Sequence, residues 1–183
     1  MKADVTALAL PQQLRHWAQA RARDVALQQK DYGIWEPVTW AQYEQQARWF
    51  GLGLVKLGLP ERGHCAIICE NRKEWVYTQL GCGLIGAVTV GVYPTSPAPE
   101  IEYLLQSADA SVVVCEDQEQ LDKVLEVRDR LPALTHLVVI DPRGLRHYEV
   151  ENLLTFEEVV ALGTAFEHER PMIVERRLEQ QTM

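Results

Sequence analysis

The feature that most constrains the fold is a series of four short, almost continuous apolar segments between residues 64 and 141. They lack the apolar–polar alternation of half-exposed strands and are typical of parallel strands covered on both faces. Helical periodicity fills each interval between them. The sequence therefore predicts an α/β fold with a doubly wound, mostly parallel sheet and flanking helices. The four predicted strands cover residues 64–70, 87–94, 111–116 and 137–141.

The residues ahead of this series predict a helix, a β-hairpin and a second helix. An apolar stripe at helical spacing covers residues 10–21, and apolar runs at 25–32 and 34–40 flank Gly33, as in a hairpin with a tight turn. The second helix extends to about residue 57. We expect this N-terminal region to be scaffold.

Local signals define the second of these helices. Thr39 and Gln42 form a T-x-x-Q capping box at its start, and Gly58 lies just past its end as the expected C-cap glycine. Gly51 and Gly53 lie inside the helix, where each costs about 1 kcal/mol relative to Ala. Their presence predicts close packing against a neighbouring element.

The helices between the strands also have recognisable starts. The first covers residues 72–85. The second is expected to have Thr95 or Ser96 as its N-cap and Pro97 as its first residue. The third begins at Asp117, which is followed by a capping-box glutamine.

Beyond residue 141 the pattern weakens. Residues 148–155 predict a short strand and 156–166 a helix, whereas the charged residues from His168 onwards are only weakly periodic. We expect one unit, residues 1–183, with a helix–hairpin–helix segment, a βαβαβαβ core and an appendage. These segments are residues 1–60, 61–142 and 143–183.

Charge and hydropathy limit the partners. The 183 residues carry a formal net charge of −8 without a cluster of Lys and Arg, so nucleic acid is not an expected partner. No apolar run approaches the ~18–20 residues that span a bilayer. The apolar patch at residues 7–10 is too short for a signal peptide, and we expect a soluble, cytoplasmic protein.

The cysteines predict buried thiols. None of Cys65, Cys69, Cys82 and Cys115 forms a C-x-x-C pair, and their spacing with the five histidines does not indicate a metal site. Cys65 and Cys69 lie four residues apart in one predicted strand and should point to the same face. Small buried side chains in a reducing compartment are the expected role.

Residues 81–86 match the G-x-G-x-x-G pattern through Gly81, Gly83 and Gly86. The dinucleotide-binding form of this pattern follows a strand and opens a helix, which places the pyrophosphate at the helix N-terminus. Here a helix precedes the glycines and a strand follows. The motif therefore predicts close contact between helix and sheet, and no nicotinamide or flavin site.

Open α/β sheets bind ligands outside the carboxyl ends of their strands. Each of the three loops at that position is explained by a structural role as a turn or a helix cap. Asp109 and Asp141 have the same explanation, and contact with a cation is the alternative for them. Phosphate-loop, nucleophile-elbow and H-E-x-x-H motifs are absent from the sequence. The sequence predicts no catalytic, cofactor-binding or metal-binding residue. The three loops concerned are residues 70–72, 93–96 and 116–117.

Three segments resemble the AMP-forming acyl-CoA synthetases, which belong with adenylation domains and luciferases in the adenylate-forming superfamily. They are VTWAQY at residues 38–43, NRKEW at 71–75 and GAVTVGVYPTSPAPEIE at 86–102. The first resembles the family's first core motif. The last resembles the second core motif in the form carried by long-chain fatty acyl-CoA synthetases. The resemblance covers residues 10–179 as a combination of individually weak motifs.

The resemblance implies a two-step reaction in the whole enzyme. Fatty acid and Mg-ATP give an acyl-adenylate and pyrophosphate, and coenzyme A then takes the acyl group. The family uses a Ser/Thr/Gly-rich loop ending in P-K, an acidic metal ligand, adenine-binding loops and a lysine on a small C-terminal domain. None has a counterpart here. The chain is therefore expected to be an inactive N-terminal scaffold of a synthetase whose other part uses ATP, Mg and coenzyme A.

Two alternatives stay open at this point. The first is that the chain is a stand-alone interaction or regulatory module. The second is that it is a flavodoxin-like nucleotide-binding protein. The expected partner is the remainder of the synthetase chain. Because a truncated parallel sheet exposes apolar surface, we also expect self-association into a homo-dimer. Membrane association in the parent synthetase would be peripheral at most.

Overall fold

The computed structural model describes residues 5–180, so residues 1–4 and 181–183 of the expected unit lie outside the described residues. Its strands and helices follow the predicted order. The strands are β1 (Val25–Asp31), β2 (Ile34–Thr39), β3 (His64–Ile68), β4 (Val88–Val92), β5 (Val112–Cys115), β6 (His136–Val139) and β7 (Leu153–Thr155). The helices are α1 (Leu10–Ala20), α2 (Trp40–Lys56), α3 (Lys73–Leu84), α4 (Ala98–Ser107), α5 (Gln118–Val127), α6 (Phe156–Glu169) and α7 (Ile173–Glu179).

The five strands β3 to β7 form one parallel sheet in the order β4-β3-β5-β6-β7. The connection after β4 crosses back over β3, so the direction of winding reverses between β3 and β5. This reversal places helices on both faces of the sheet. The predicted doubly wound α/β class is confirmed. Four strands agree with prediction, and the fifth is the last part of the expected strand at 148–155.

Two helical layers cover the sheet. We call α1, α2, α3, α6 and α7 the first layer, and α4 and α5 the second layer. Cys65, Ile67 and Cys69 belong to the core under the first layer, whereas Ala66 and Ile68 belong to the core under the second. The predicted common face of Cys65 and Cys69 is confirmed. All four cysteines are free and buried, as expected.

Glycines let helices of the first layer approach each other closely, since α2 packs against both α3 and α6. A Cβ atom on Gly51 would overlap the carbonyl of Gly81, and one on Gly163 would overlap the carbonyl of Trp49. A Cβ on Gly53 would likewise overlap the backbone of α6. The close packing predicted from the glycines of α2 is confirmed.

The expected partner of Gly81 is wrong, however. A Cβ on this residue would lie 2.6 Å from the carbonyl oxygen of Ala47, so its neighbour is α2 and not the sheet. The reason is that successive residues of a helix point in directions about 100° apart. The Cys82 thiol interacts with the Cys65 thiol of β3, which leaves the preceding residue turned towards α2.

The helix starts show which local signals were reliable. The amide of Gln42 donates to Oγ1 of Thr39 at 3.3 Å, and the amide of Thr39 donates to Oε1 of Gln42 at 2.9 Å, so the capping box is confirmed. Asp117 caps α5 by accepting from the amide of Gln120 at 3.2 Å. Gly58 follows α2 with a φ of +95°.

The expected N-cap of α4 is wrong. Pro97 occupies the N-cap position without a side-chain hydrogen bond, and the helix begins one residue later than predicted. Ser96 is instead part of a turn, in which its amide donates to the carbonyl of Tyr93 at 3.0 Å. Because Ser96 is used in this turn, it does not cap α4.

The hairpin formed by β1 and β2 agrees with prediction. Tyr32 and Gly33 connect the strands with φ values of +42° and +87°, as a two-residue turn that matches strand twist requires. Helix α7 was not predicted, because Val174 and Leu178 are its only buried residues. The division into 1–60, 61–142 and 143–183 stays a prediction.

Candidate functional site

The position at which this topology binds ligands is the crevice between the carboxyl ends of β3 and β5. Residues 70–72 follow β3 and residues 116–117 follow β5, and we call these residues the switch-point crevice. Two of the three predicted loops therefore meet, although they lie about 45 positions apart in sequence. Parallel pairing of β3 with β5 brings them together.

The charged groups of the switch-point crevice bind each other. Oε2 of Glu116 accepts a hydrogen bond from the amide of Glu70 at 2.7 Å, and Oε1 lies 3.4 Å from Nη1 of Arg72. Nε of Arg72 donates to Oε2 of Glu74 at 3.1 Å. Burial opposes the charge of Arg72, but the two carboxylates together raise its pKa. The charged side chains of the crevice are thus engaged with one another.

A second ion pair lies beside the crevice, at the end of β6. The amide of Asp141 donates to the carbonyl of Glu116 at 2.8 Å, so the two strand ends are tied together. Arg143 donates to both carboxylate oxygens of Asp141 and lowers the pKa of that group. Asp141 is therefore an ion-paired turn residue, as the sequence favoured. Asp109 also lies in a turn, with a φ of +50°.

The hairpin extends across the carboxyl ends of the strands. Oε1 of Gln29 in β1 accepts from the amide of Lys73 at 2.8 Å, directly at the start of α3. Glu36 in β2 lies 3.8 Å from Nζ of Lys73. The phenol of Tyr32, at the hairpin tip, faces the guanidinium of Arg143. The N-terminal hairpin thus covers the edge of the sheet at which a ligand was expected.

Between the hairpin and α3 lies an open groove of about 470 Å³. Trp35 of β2 and Trp75 of α3 provide its aromatic surfaces, and Asn71 and Lys73 also line it. The sequence analysis assigned neither tryptophan to a binding site. The available signal was the position of Trp35 in a two-stranded hairpin, which has no core of its own to bury an aromatic residue.

The third predicted loop, residues 93–96, follows β4 and lies beside residues 70–72, because β4 pairs with β3 on the side away from β5. The two loops together line a pocket of about 410 Å³. Nζ of Lys123 in α5 donates to the carbonyl of Pro94 at 2.7 Å and attaches this loop to the second layer. Tyr93 is 79% exposed, and Ser96 is buried. The structure therefore places all three predicted loops along one edge of the sheet, with residues 70–72 in contact with 116–117 on one side and beside 93–95 on the other.

The crevice has little reactivity of its own. Burial, and next the charge of Glu116, raise the pKa of the Cys69 thiol, which donates to the carbonyl of Glu70 at 3.1 Å. A protonated, hydrogen-bonded thiol is a poor nucleophile. Within residues 5–180 there is no group of three or more His, Cys, Asp or Glu side chains arranged to hold a metal ion.

The residues present do not fit the phosphates of a nucleotide. The glycines at 81–86 end helix α3 and pack against α1 and α2, so their amides do not line an open helix N-terminus. At the start of α3, where such a site would lie, Gln29 already binds the amide of Lys73. The absence of a predicted cofactor-binding residue stays a prediction.

Comparison with known proteins gives consistent similarities. The sequence profile described as AMP-binding enzyme matches residues 14–172. A long-chain-fatty-acid–CoA ligase of Xenopus laevis is 34% identical over 139 residues, which are 76% of this chain and 18% of that ligase. A human ligase of the same description is 31% identical over 139 residues, or 76% of this chain and 19% of the relative.

Solved structures agree with the sequence relatives. The anthranilate–CoA ligase AuaEII, solved with anthranoyl-AMP, has a TM-score of 0.70 and 25% identity, covering 86% of this chain and 28% of that one. A putative long-chain-fatty-acid–CoA ligase from Rhodopseudomonas palustris has a TM-score of 0.71 at 22% identity, covering 85% and 37% of the two chains. This second likeness shows the fold alone.

Proposed function

The chain belongs to the AMP-binding enzyme family, and from that premise we propose that it is the N-terminal scaffold of a long-chain fatty acid–CoA ligase. It spans about 18% of the length of the first curated relatives, which are named as ligases of this kind. In the whole ligase, fatty acid and ATP would give an acyl-adenylate and pyrophosphate. Coenzyme A would then take the acyl group and release AMP.

The observation that carries this proposal is the mutual pairing of the charged groups in the switch-point crevice. Glu116 uses both carboxylate oxygens within the protein, and Arg72 is held between two carboxylates. Adenylate transfer requires cations and amide donors directed at an unoccupied position, where charge develops on the phosphoryl oxygens. These contacts favour a structural role for the chain, in which the remainder of the ligase binds ATP, Mg and coenzyme A.

The proposal also concerns location. None of the helices in the described part of the chain combines the length and apolarity that crossing a bilayer requires. We propose that membrane association of the whole ligase is peripheral at most.

The test is ATP–pyrophosphate exchange with palmitate as the acyl substrate. The isolated chain should give no exchange above the rate without palmitate, because no described residue is directed at a phosphoryl group. A full-length relative such as the Xenopus laevis ligase, assayed in parallel, controls for the assay. Palmitate-dependent exchange by the chain would contradict the scaffold proposal.

One observation favours a second function, the flavodoxin-like nucleotide-binding protein. The order β4-β3-β5-β6-β7 corresponds to the flavodoxin-like order, in which a nucleotide binds at the same reversal. Calorimetric titration with ATP and with FMN distinguishes the two. We expect no saturable heat, because the Arg72–Glu116 contact occupies the crevice.

A pair of variants makes the titration specific. Glu116→Gln weakens the Arg72–Glu116 contact in the crevice, and Glu102→Gln breaks a comparable ion pair with Arg130 outside it. Saturable nucleotide binding by the wild type that Glu116→Gln alters and Glu102→Gln leaves unchanged would favour the nucleotide-binding function.

A further inference from the structure

Strand β4 is an edge of the parallel sheet and has none of the usual protection of an edge. Its sequence, VTVGV, contains no charged residue and no proline, and its register with β3 is continuous from Val88 to Val92. Natural edge strands are generally protected by lysine, proline, a bulge or very short length. Val88 is 45% exposed on this edge.

The direction of the backbone groups of β4 follows from one hydrogen bond. The amide of Val88 donates to the carbonyl of Gly63 at 2.9 Å, next to β3. Because alternate residues of a strand direct their backbone groups to opposite sides, Val90 and Val92 also face β3. The amides and carbonyls of Thr89 and Gly91 therefore point away from the sheet, where they are available for another strand.

We propose that this edge pairs with the same edge of a second copy of the chain, antiparallel and around a two-fold axis at Val90. Thr89 of one copy then lies opposite Gly91 of the other. These are the residues whose backbone groups point outwards, so each such pair exchanges both of its hydrogen bonds. The two five-stranded sheets become one continuous sheet. This inference does not depend on the proposed function.

The side chains of β4 are complementary to themselves in this register. Val88, Val90 and Val92 share one face, since strand side chains alternate, and Val90 and Val92 belong to or pack against the core under the second layer. Around the axis, Val90 meets Val90, and Val88 meets Val92 of the other copy. Cross-strand pairs of β-branched residues are among the favourable ones. No charge is brought opposite a like charge.

The other face of β4 is equally compatible. Thr89 lies opposite Gly91, so a side chain meets a position without one. A Cβ at Gly91 would lie 3.2 Å from the Trp75 ring, which already occupies the space above this glycine. Thr89 of one copy therefore lies beside the Trp75 ring of the other copy, and the two side chains do not compete for the same space.

The other strand edges of residues 5–180 are less suited to a second copy. β7 has three residues, and the hairpin strands carry Lys30, Asp31 and Pro37. Charged residues and proline are devices that oppose edge pairing. A symmetric interface must use the same surface on both copies, and β4 satisfies this requirement with an uncharged strand.

Cysteine cross-linking tests the register. In a non-hydrogen-bonded antiparallel pair the Cα atoms are about 4.5 Å apart, within the ~4.4–6.8 Å range of disulfides. Val90→Cys should therefore form an intermolecular disulfide on mild oxidation. Val88→Cys should not, although Val88 is the more exposed residue, because Val88 lies opposite Val92 of the other copy. The double variant Val88→Cys/Val92→Cys should cross-link again.

The wild type is the background control, since its four cysteines are buried. Equal cross-linking of the two single variants, or none by Val90→Cys, would overturn the register. Cross-linking is read as the dimer band on a non-reducing gel and its loss on reduction.

Sedimentation equilibrium tests the interface itself. The wild type should show a concentration-dependent mass approaching twice 20.8 kDa. Val88→Lys should remain at the monomer mass, because it places a charge against a valine of the other copy. Ile34→Lys, on a hairpin residue that is 70% exposed, should leave the dimer intact. A monomeric wild type, or a dimer that only Ile34→Lys dissociates, would refute the proposal.

Discussion

The two helical layers of this protein cover the same sheet in different ways. In the first layer, the backbones of α2, α3 and α6 are in contact through glycines, and α1 and α7 pack around them. In the second layer, α4 and α5 pack through ordinary apolar side chains such as Ile101 and Leu121. Because residues of both layers are buried, we expect tolerance to substitution to follow helix–helix distance more than burial.

The largest expected effect comes from adding one methyl group to the first layer. Gly163→Ala places a Cβ against the carbonyl of Trp49 and 2.7 Å from the amide of Gly53. Both obstacles are backbone atoms of α2, so relief requires the helices to separate. Overpacking typically costs 1–3 kcal/mol, and we expect a loss of about 3 kcal/mol in the free energy of unfolding. Urea denaturation measures it.

Gly83→Ala is the matched control for this change. Its Cβ would make an ordinary contact, 3.4 Å from Cγ of Pro11. Because Ala is the better helix former by about 1 kcal/mol, this variant should be as stable as the wild type or more stable. Equal destabilisation by the two changes would remove helix–helix distance as the explanation.

Removing one carbon atom from the second layer should have a smaller effect. Ile101 is fully buried between α4 and the sheet. Ile101→Val deletes a methyl group without forcing any backbone to move, and such changes cost about 0.5–1.5 kcal/mol. A urea midpoint shift as large as that of Gly163→Ala would show that the two layers are equally intolerant.

Helix caps should not distinguish the layers. Thr155 caps α6 in the first layer by accepting from the amide of Glu158 at 3.2 Å, and Asp117 caps α5 in the second. Thr155→Ala and Asp117→Ala should each lower the free energy of unfolding by about 1 kcal/mol. Thermal denaturation measures both variants. Clearly different melting temperatures would indicate that the two layers also differ at their helix ends.

The smallest expected effect depends on pH and concerns charges on the outer side of the first layer. Burial raises the pKa of Glu44, although Arg48 and Arg15 partly oppose this. A raised folded-state pKa favours the protonated form, so its contribution to stability is present below the usual value near 4.5 and is lost as pH rises through the folded pKa. Glu44→Gln should therefore be more stable than the wild type at pH 7, but not at pH 4.

The pKa of Glu175 is shifted in the opposite direction, so this residue serves as the comparison. Burial would raise its pKa, but the hydrogen bond from Arg48, a backbone hydrogen bond and the charges of Arg48 and Arg15 together lower it. Its contribution is therefore present above the usual carboxylate pKa and is lost as pH falls through the folded value. Glu175→Gln should be less stable than the wild type at pH 7, with a smaller difference at low pH. Urea titrations at both pH values measure these differences, and the same sign for both variants would contradict the assignment.

Local patterns were enough to predict most of the secondary structure. The buried strands were visible as apolar runs, and the hairpin as two runs around Gly33. β7 and α7 were difficult for the same reason, since three strand residues or two buried helix positions, Val174 and Leu178, leave almost no period. The α4 cap was wrong because turn formation competes for Ser96.

The candidate site was less accessible to prediction. The sequence indicated the loops after β3 and β5, but pairing Arg72 with Glu116 requires the strand order, which no local pattern contains. The position of the hairpin over these loops depends on Gln29 reaching Lys73, 44 residues later. Contacts of this kind become visible in the assembled fold.

The contact between α1 and α7 has a consequence for synthesis of the chain. Nε2 of Gln12 donates to the carbonyl of Leu178 at 3.2 Å, across 166 positions. At about 5–20 residues per second, a ribosome needs roughly 10–30 s between these two residues. During that interval the surface of α1 that α7 covers is open to chaperones or to other nascent chains. Helix α1 thus reaches its final surroundings only after α7 has been synthesised.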